Sequence, residues 1–212
     1  MTIGPTKEAR GPREHSGTRP AGVDAASAAA RRVIDALLRS GDMTDADMAA
    51  VADRLNAVAD DLEVGAPPLE DRLVDMWRGD GMTRHDPVAG PENPIAPPLE
   101  YEAVDARTIE ATATLGLPYQ GPPSSVHGGI SALLLDHTLG VANGWAGTSG
   151  MTAELTLRYH RLTPLFEPLT ISARQLSVDG RKIRTEGAIS AGGETCVTAE
   201  ALFIAKHPPR PR

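Results

Sequence analysis

Between Val126 and Ala142 a largely apolar run opens on His127-Gly128-Gly129 and carries a single carboxylate, Asp136, among Leu133, Leu134, Leu135 and Leu139. After the glycines this run reads as a helix apolar on nearly every face, the kind that lies in a core. An acid in such surroundings meets desolvation, which raises a carboxyl pKa and demands a hydrogen-bonding partner. The start of the same helix has the opposite polarity. Its first backbone N–H groups lack an intrahelical acceptor, and the aligned peptide dipoles make that end partly positive. Gly128 and Gly129 carry no side chain to block approach. The combination suits reactions at a carbonyl, with a main-chain N–H holding the developing oxyanion while Asp136 works on the other reactant.

Each of these residues also has a plainer reading. Asp136 could be a buried acid paired with a backbone amide or an arginine, His127 a helix-start residue whose ring bonds the backbone, and the glycines a device for close packing of helix on sheet. None of these accounts explains the acid and the glycines together. His137 follows Asp136 directly and so points about 100° away round the helix, which argues against a hydrogen-bonded dyad. Thr152 is an ordinary strand residue whose alternation puts it on the face opposite Leu155 and Leu157.

Composition narrows the classes. With 212 residues and 41% hydrophobic content, the chain can bury a sizeable core and is long for one small domain. A formal charge of −7 and only 3% aromatic residues argue against a nucleic-acid-binding surface or a base-stacking platform. The single cysteine, Cys196, leaves no intrachain disulfide, and the scattered histidines show no ligand spacing, so no metal and no cofactor is expected. No secretory signal opens the chain and no run is long enough to span a bilayer, so a soluble, cytoplasmic protein is expected.

The elements that position the site follow in order. Residues 1–22 are rich in Gly, Pro, Arg and Ser and read as a disordered tail. Residues 23–78 read as a helical extension. One helix runs from Ala25 to Ser40. A second, with Thr44 and Asp47 as a capping box, carries Met48, Val51, Leu55, Val58 and Leu62 on one stripe. A third, shorter segment spans Leu69 to Trp77. Such narrow stripes read first as a structural cover or oligomer contact, and second as a lid over a ligand. Residues 79–98 are a linker crowded with glycine and proline.

From 99 to 206 the period changes. Leu99 to Val104 and the alternating run Arg107 to Leu115 read as a strand pair, followed by the central helix. Then come strands at Thr152–Tyr159, Leu169–Val178, Lys182–Ile189 and Thr195–Ala205, with Asp179-Gly180 and Gly192-Gly193 where tight hairpin turns belong. The expectation is an α+β architecture, an antiparallel meander curled round one long helix, with 207–212 as a tail.

This order, together with His127-Gly128-Gly129 and an acid nine residues after the histidine, resembles the hotdog-fold acyl-CoA thioesterases, in particular the phenylacetyl-CoA and 4-hydroxybenzoyl-CoA thioesterase subgroup. Gly140 and the strand from Thr152 to Tyr159 also fit, and the resemblance covers roughly residues 95–206. It implies that Asp136 is the catalytic carboxylate, as general base on water or as nucleophile on the thioester carbon, and that the Gly128 N–H stabilises the thioester oxygen. It gives Thr152 a hydroxyl role in holding the water, and makes His127 and Gly129 part of the site. Relatives place an Asn or Gln in the loop before the glycines, for which Gln120, Ser124 and Ser125 are the candidates here. The basic turn Arg181-Lys182 becomes a contact for coenzyme A phosphates, with a solvated turn as the plainer reading. Relatives pair as homodimers or dimers of dimers with the site at the interface, so that Asp136 and Gly128 come from different subunits. The implied partner is an acyl-CoA substrate.

Rival readings have less support. The α/β-hydrolase esterases share a His-Gly-Gly but need Gly-x-Ser-x-Gly, and Gly147-Thr148-Ser149-Gly150 misses that spacing. A hotdog hydratase or dehydratase needs a histidine paired with an acid, and the faint echo at Glu92-Asn93-Pro94-Ile95 lacks it. A non-catalytic acyl-CoA sensor or scaffold has no use for Asp136.

Overall fold

The structure is a computed structural model that describes residues 22–69 and 84–205. Its centre is a six-stranded antiparallel sheet with strand order β1-β2-β4-β5-β6-β3. The strands are β1 (Glu100–Ala103), β2 (Thr108–Thr114), β3 (Met151–Tyr159), β4 (Pro168–Asp179), β5 (Lys182–Ala191) and β6 (Glu194–Ile204). One helix, α3 (Gly128–Trp145), lies against one face of the sheet. The expected α+β layout of a sheet around a single central helix is what the chain adopts.

Strand alternation sets which side chains meet α3. Ile109, Ala111 and Ala113 on β2, Leu169, Ile171 and Ala173 on β4, and Val197, Ala199, Ala201 and Phe203 on β6 are all buried, and Leu134, Leu135, Leu139 and Ala142 of α3 close on them. A fully buried leucine contributes about 1.5–3 kcal/mol of hydrophobic stabilisation, so this contact dominates the stability of the unit. Gly187 on β5 makes the close approach possible. A Cβ there would stand 2.6 Å from the Ser172 carbonyl oxygen and 3.1 Å from Leu139 Cδ2. Beneath the C-terminal half of α3 sits a polar knot, in which Asn143 Oδ1 accepts from Gln175 Nε2 at 3.1 Å and from Thr185 Oγ1 at 2.7 Å. Trp145 Nε1 donates to the Asp105 carbonyl at 2.7 Å and ties the end of α3 to the β1–β2 turn.

Two expectations need correction. The sheet is not a simple meander: β4, β5 and β6 follow one another, but β3 pairs with β6 on the far side and becomes an edge strand. Hairpin signals specify only strands joined by tight turns, and the long excursion through α3 leaves the partner of β3 open. The central helix is also not buried all round. Its sheet-facing side is closed, while Leu133, Asp136, His137, Gly140 and Val141 are only half-buried.

The N-terminal part forms two helices, α1 (Val23–Ser40) and α2 (Met48–Val64). The N-cap of α2 is Asp47, which accepts from the N–H groups of Ala49 and Ala50 at 3.1 Å. Thr44, the expected partner in a capping box, accepts from Ala46 N–H outside the helix. Helix α1 is anchored by Arg31, whose guanidinium donates to the Asn93 carbonyl at 2.9 Å. Helix α2 has no buried residue, and an apolar groove of about 300 Å³ runs between the two helices, lined by Val33, Leu37, Met48, Val51 and Leu55. All but Leu69 of the third helix expected at Leu69–Trp77 lies outside the described residues.

Candidate functional site

The N-terminus of α3 is built by a loop that turns on itself. His127 N–H donates to the Tyr119 carbonyl at 2.9 Å and Val126 N–H to the Thr163 carbonyl at 2.8 Å, which holds the residue before the glycines in extended backbone. His127 is the N-cap, and its Nδ1 accepts from Gly129 N–H at 3.0 Å. In the neutral ring this leaves the proton on Nε2. The His127 carbonyl accepts from Ile130 and Ser131. Gly128 N–H has no acceptor among the described residues. The nearest atoms a Cβ at Gly128 would meet are the Tyr159 hydroxyl and ring, at ordinary contact distances of 3.4–3.5 Å, so packing inside the chain does not demand this glycine.

Two turns along, Asp136 stands half-buried on the side of α3 turned from the sheet interior. Its Oδ1 accepts from Thr152 Oγ1 at 2.8 Å, and it forms no ion pair among the described residues. The expected alternative of an acid locked to arginine is therefore not what the structure shows. Thr152 reaches Asp136 because of a β-bulge. Between Thr152 and Glu154 the register of β3 against β6 slips, so Thr152 lies opposite Phe203 and shares the helix-facing side with Leu155 and Leu157. Simple alternation would have turned it outward, as the sequence reading expected; the extra residue, Ala153, reverses that.

His137 turns the other way, towards the loop at 84–99. Its Nδ1 lies 3.6 Å from Asp86 Oδ1, and its ring packs near Tyr101 at 6.3 Å between centroids. Burial holds the His137 pKa below the ordinary histidine value, against the opposing pull of Asp86 and Asp136. Burial likewise pushes the Tyr101 phenol up to about 12. No dyad joins His137 to Asp136, in line with the helical spacing.

The remaining expected residues are dispersed. Gln120 is exposed just before the loop. Ser125 is buried, with its hydroxyl donated to the Pro123 carbonyl at 3.3 Å. Arg181 Nε donates to the Ala205 carbonyl at 2.9 Å, and Lys182 is exposed opposite Ile204, which in turn faces Met151. The basic turn thus sits at the same end of the sheet as Thr152. Tyr159, which the sequence reading passed over, donates its hydroxyl to the Gly128 carbonyl at 2.9 Å. Its shared parity with Leu155 and Leu157 was the available signal. Among the described residues no cluster of His, Cys, Asp or Glu could hold a metal ion, and no helix is long and apolar enough to cross a membrane.

Asp136 and Gly128 are eight residues apart on one helix. At about 1.5 Å of rise per residue, that places them roughly 12 Å apart along the axis, too far to act on one carbonyl carbon together.

Comparison with known proteins places the chain in a family. Residues 14–71 match the family described as the N-terminal helical domain of hypothetical protein RHA1_ro05818. Over 113 residues the chain is 33% identical to the acyl-coenzyme A thioesterase THEM4 of Mus musculus, covering 52% of this chain and 48% of that protein. The Rattus norvegicus THEM4 is 34% identical over 98 residues, covering 45% and 42%. The chain spans about half the length of these curated relatives or less. A crystal structure of a thioesterase superfamily protein, RHA08564, superposes with a TM-score of 0.80 at 56% identity, covering 87% of this chain and 96% of that one. With an identity of that order across nearly the whole of a thioesterase superfamily protein, and the same sheet around the same helix, the chain belongs to the thioesterase superfamily, with its hotdog fold.

Proposed function

We propose that the protein hydrolyses an acyl-CoA thioester to the free acid and coenzyme A, with the site completed across a homodimer. The observation that carries this reading is the separation on α3 of a free Gly128 N–H from a carboxylate held by Thr152. Two copies paired antiparallel along β3, an edge strand whose outer side has no partner among the described residues, would bring Asp136 of one against Gly128 of the other. Asp136 takes a proton from water, whose oxygen adds to the thioester carbon. The carbonyl electrons move onto oxygen, the Gly128 N–H donates a hydrogen bond to the resulting oxyanion, and collapse expels the thiolate, which Asp136 then protonates. Direct attack by the carboxylate, followed by hydrolysis of the anhydride, uses the same groups. Thr152 orients the carboxylate, and Arg181 with Lys182 supplies positive charge at the same end of the sheet for the coenzyme's phosphates. The histidines do not favour hydratase chemistry, since His127 caps its own helix and His137 is turned to Asp86. The helical segment at 23–78 is read as an extension of the catalytic unit, and the cytoplasm, where Cys196 stays reduced, as its place of action.

The test is thiol release from a panel of straight-chain, phenylacetyl and hydroxybenzoyl acyl-CoAs. Wild type should turn over at least one of them, and Asp136→Ala and Asp136→Asn should be inactive at unchanged melting temperature. Binding without hydrolysis by wild type would sink the enzyme reading and favour a sensor.

A further inference from the structure

We propose that Tyr159 is a positioning residue for the oxyanion donor, clamping the Gly128-Gly129 peptide so that the Gly128 N–H keeps one direction. The proposal rests on the reading of Gly128 as that donor. Two glycines in succession have the greatest backbone freedom of any pair, and a donor meant to receive developing charge must not spend free energy reorienting during the reaction. Here the Gly128-Gly129 peptide unit is held at both ends. Its carbonyl accepts from the Tyr159 hydroxyl at 2.9 Å, and its N–H donates to His127 Nδ1 at 3.0 Å.

The preceding unit carries the Gly128 N–H itself. Its carbonyl, that of His127, accepts from Ile130 N–H at 2.9 Å and from Ser131 N–H at 3.2 Å. Two successive peptide planes that meet at the Gly128 Cα are therefore pinned, and both backbone dihedrals of that glycine are set. Among the described residues the tyrosine is the one side chain from outside the helix start that bonds this peptide, and it reaches in from the end of β3. The same helix-facing side of that strand bears Thr152, so a single edge strand steadies both the carboxylate and the donor. Tyr159 is 55% exposed and still directs its hydroxyl to the Gly128 carbonyl.

Tyr159→Phe keeps the ring and removes only the hydroxyl. The expected result is a fall in kcat of roughly five- to tenfold on an acyl-CoA substrate, with KM within about twofold, an unchanged melting temperature, and faster amide exchange at Gly129. A wild-type kcat in this variant, or a loss carried by KM or by a lowered melting temperature, overturns the proposal. If the wild-type protein releases no thiol from any acyl-CoA, the thioesterase reading fails. The clamp is then judged on exchange alone: acceleration at Gly129 in Tyr159→Phe supports it, and unchanged exchange overturns it.

Discussion

At the residue scale, the hydroxyl of Thr152 fixes one oxygen of Asp136 at 2.8 Å, and the other is the one the proposed mechanism uses. Thr152→Ala removes a hydrogen bond to a charged acceptor without touching the core, so kcat should fall roughly tenfold or somewhat more while thermal stability stays put; steady-state kinetics with a parallel melting curve checks both. His137 makes a different prediction. Burial lowers its pKa in the folded chain below the unfolded value of 6.5, so on acidification the unfolded chain binds the proton first. Stability is therefore fully present above about pH 6.5 and is lost as the pH falls towards the depressed folded value. The negative charges of Asp86, beside the ring, and of Asp136 pull the other way and limit the loss. Urea midpoints of wild type should decline below about pH 6.5, and His137→Gln should flatten that part of the curve. A decline of equal steepness in the variant would assign it to other groups.

At the element scale, one side of α3 is pressed against the sheet and the other, which carries Asp136, is not. The pressed side was readable from Leu134, Leu135 and Leu139, but the hydrophobicity of the run concealed that Leu133, Asp136 and Val141 look away. Gly187 sets how close the helix comes. In Gly187→Ala the new methyl would lie 2.6 Å from a backbone oxygen, which cannot yield as a side chain tip can, so a destabilisation of about 1–3 kcal/mol is expected by denaturant titration. Strand β3 shows what pattern alone misses. Its alternation from Leu155 to Tyr159 is regular, yet one bulged residue near its start moves Thr152 to the other face and into reach of the acid.

At the scale of the whole molecule, the proposed donor and carboxylate lie about 12 Å apart on one rod, so the proposed mechanism needs two chains to complete a site. Gly128→Pro removes the donor and sets the ring Cδ in its place, while the fold should hold because proline is welcome at the first helical position and His127 already has the extended backbone that must precede it. That variant should lose roughly 10²- to 10³-fold in kcat with its fold intact. Mixed dimers of Gly128→Pro with Asp136→Ala should recover activity, since one of their two sites pairs an intact acid with an intact amide; no recovery on mixing and refolding would place both groups in one chain. The sequence by itself determined the helix, its single acid, its glycine start and the strands joined by tight turns, because each is written in local periodicity and in residues whose backbone or charge preferences act over a few positions. Only the tertiary structure decided where β3 pairs, which way Thr152 points, that His137 belongs to Asp86 and that Tyr159 holds the Gly128 carbonyl. Those depend on contacts between segments far apart in the chain, and no local preference encodes which of many distant partners will pack together.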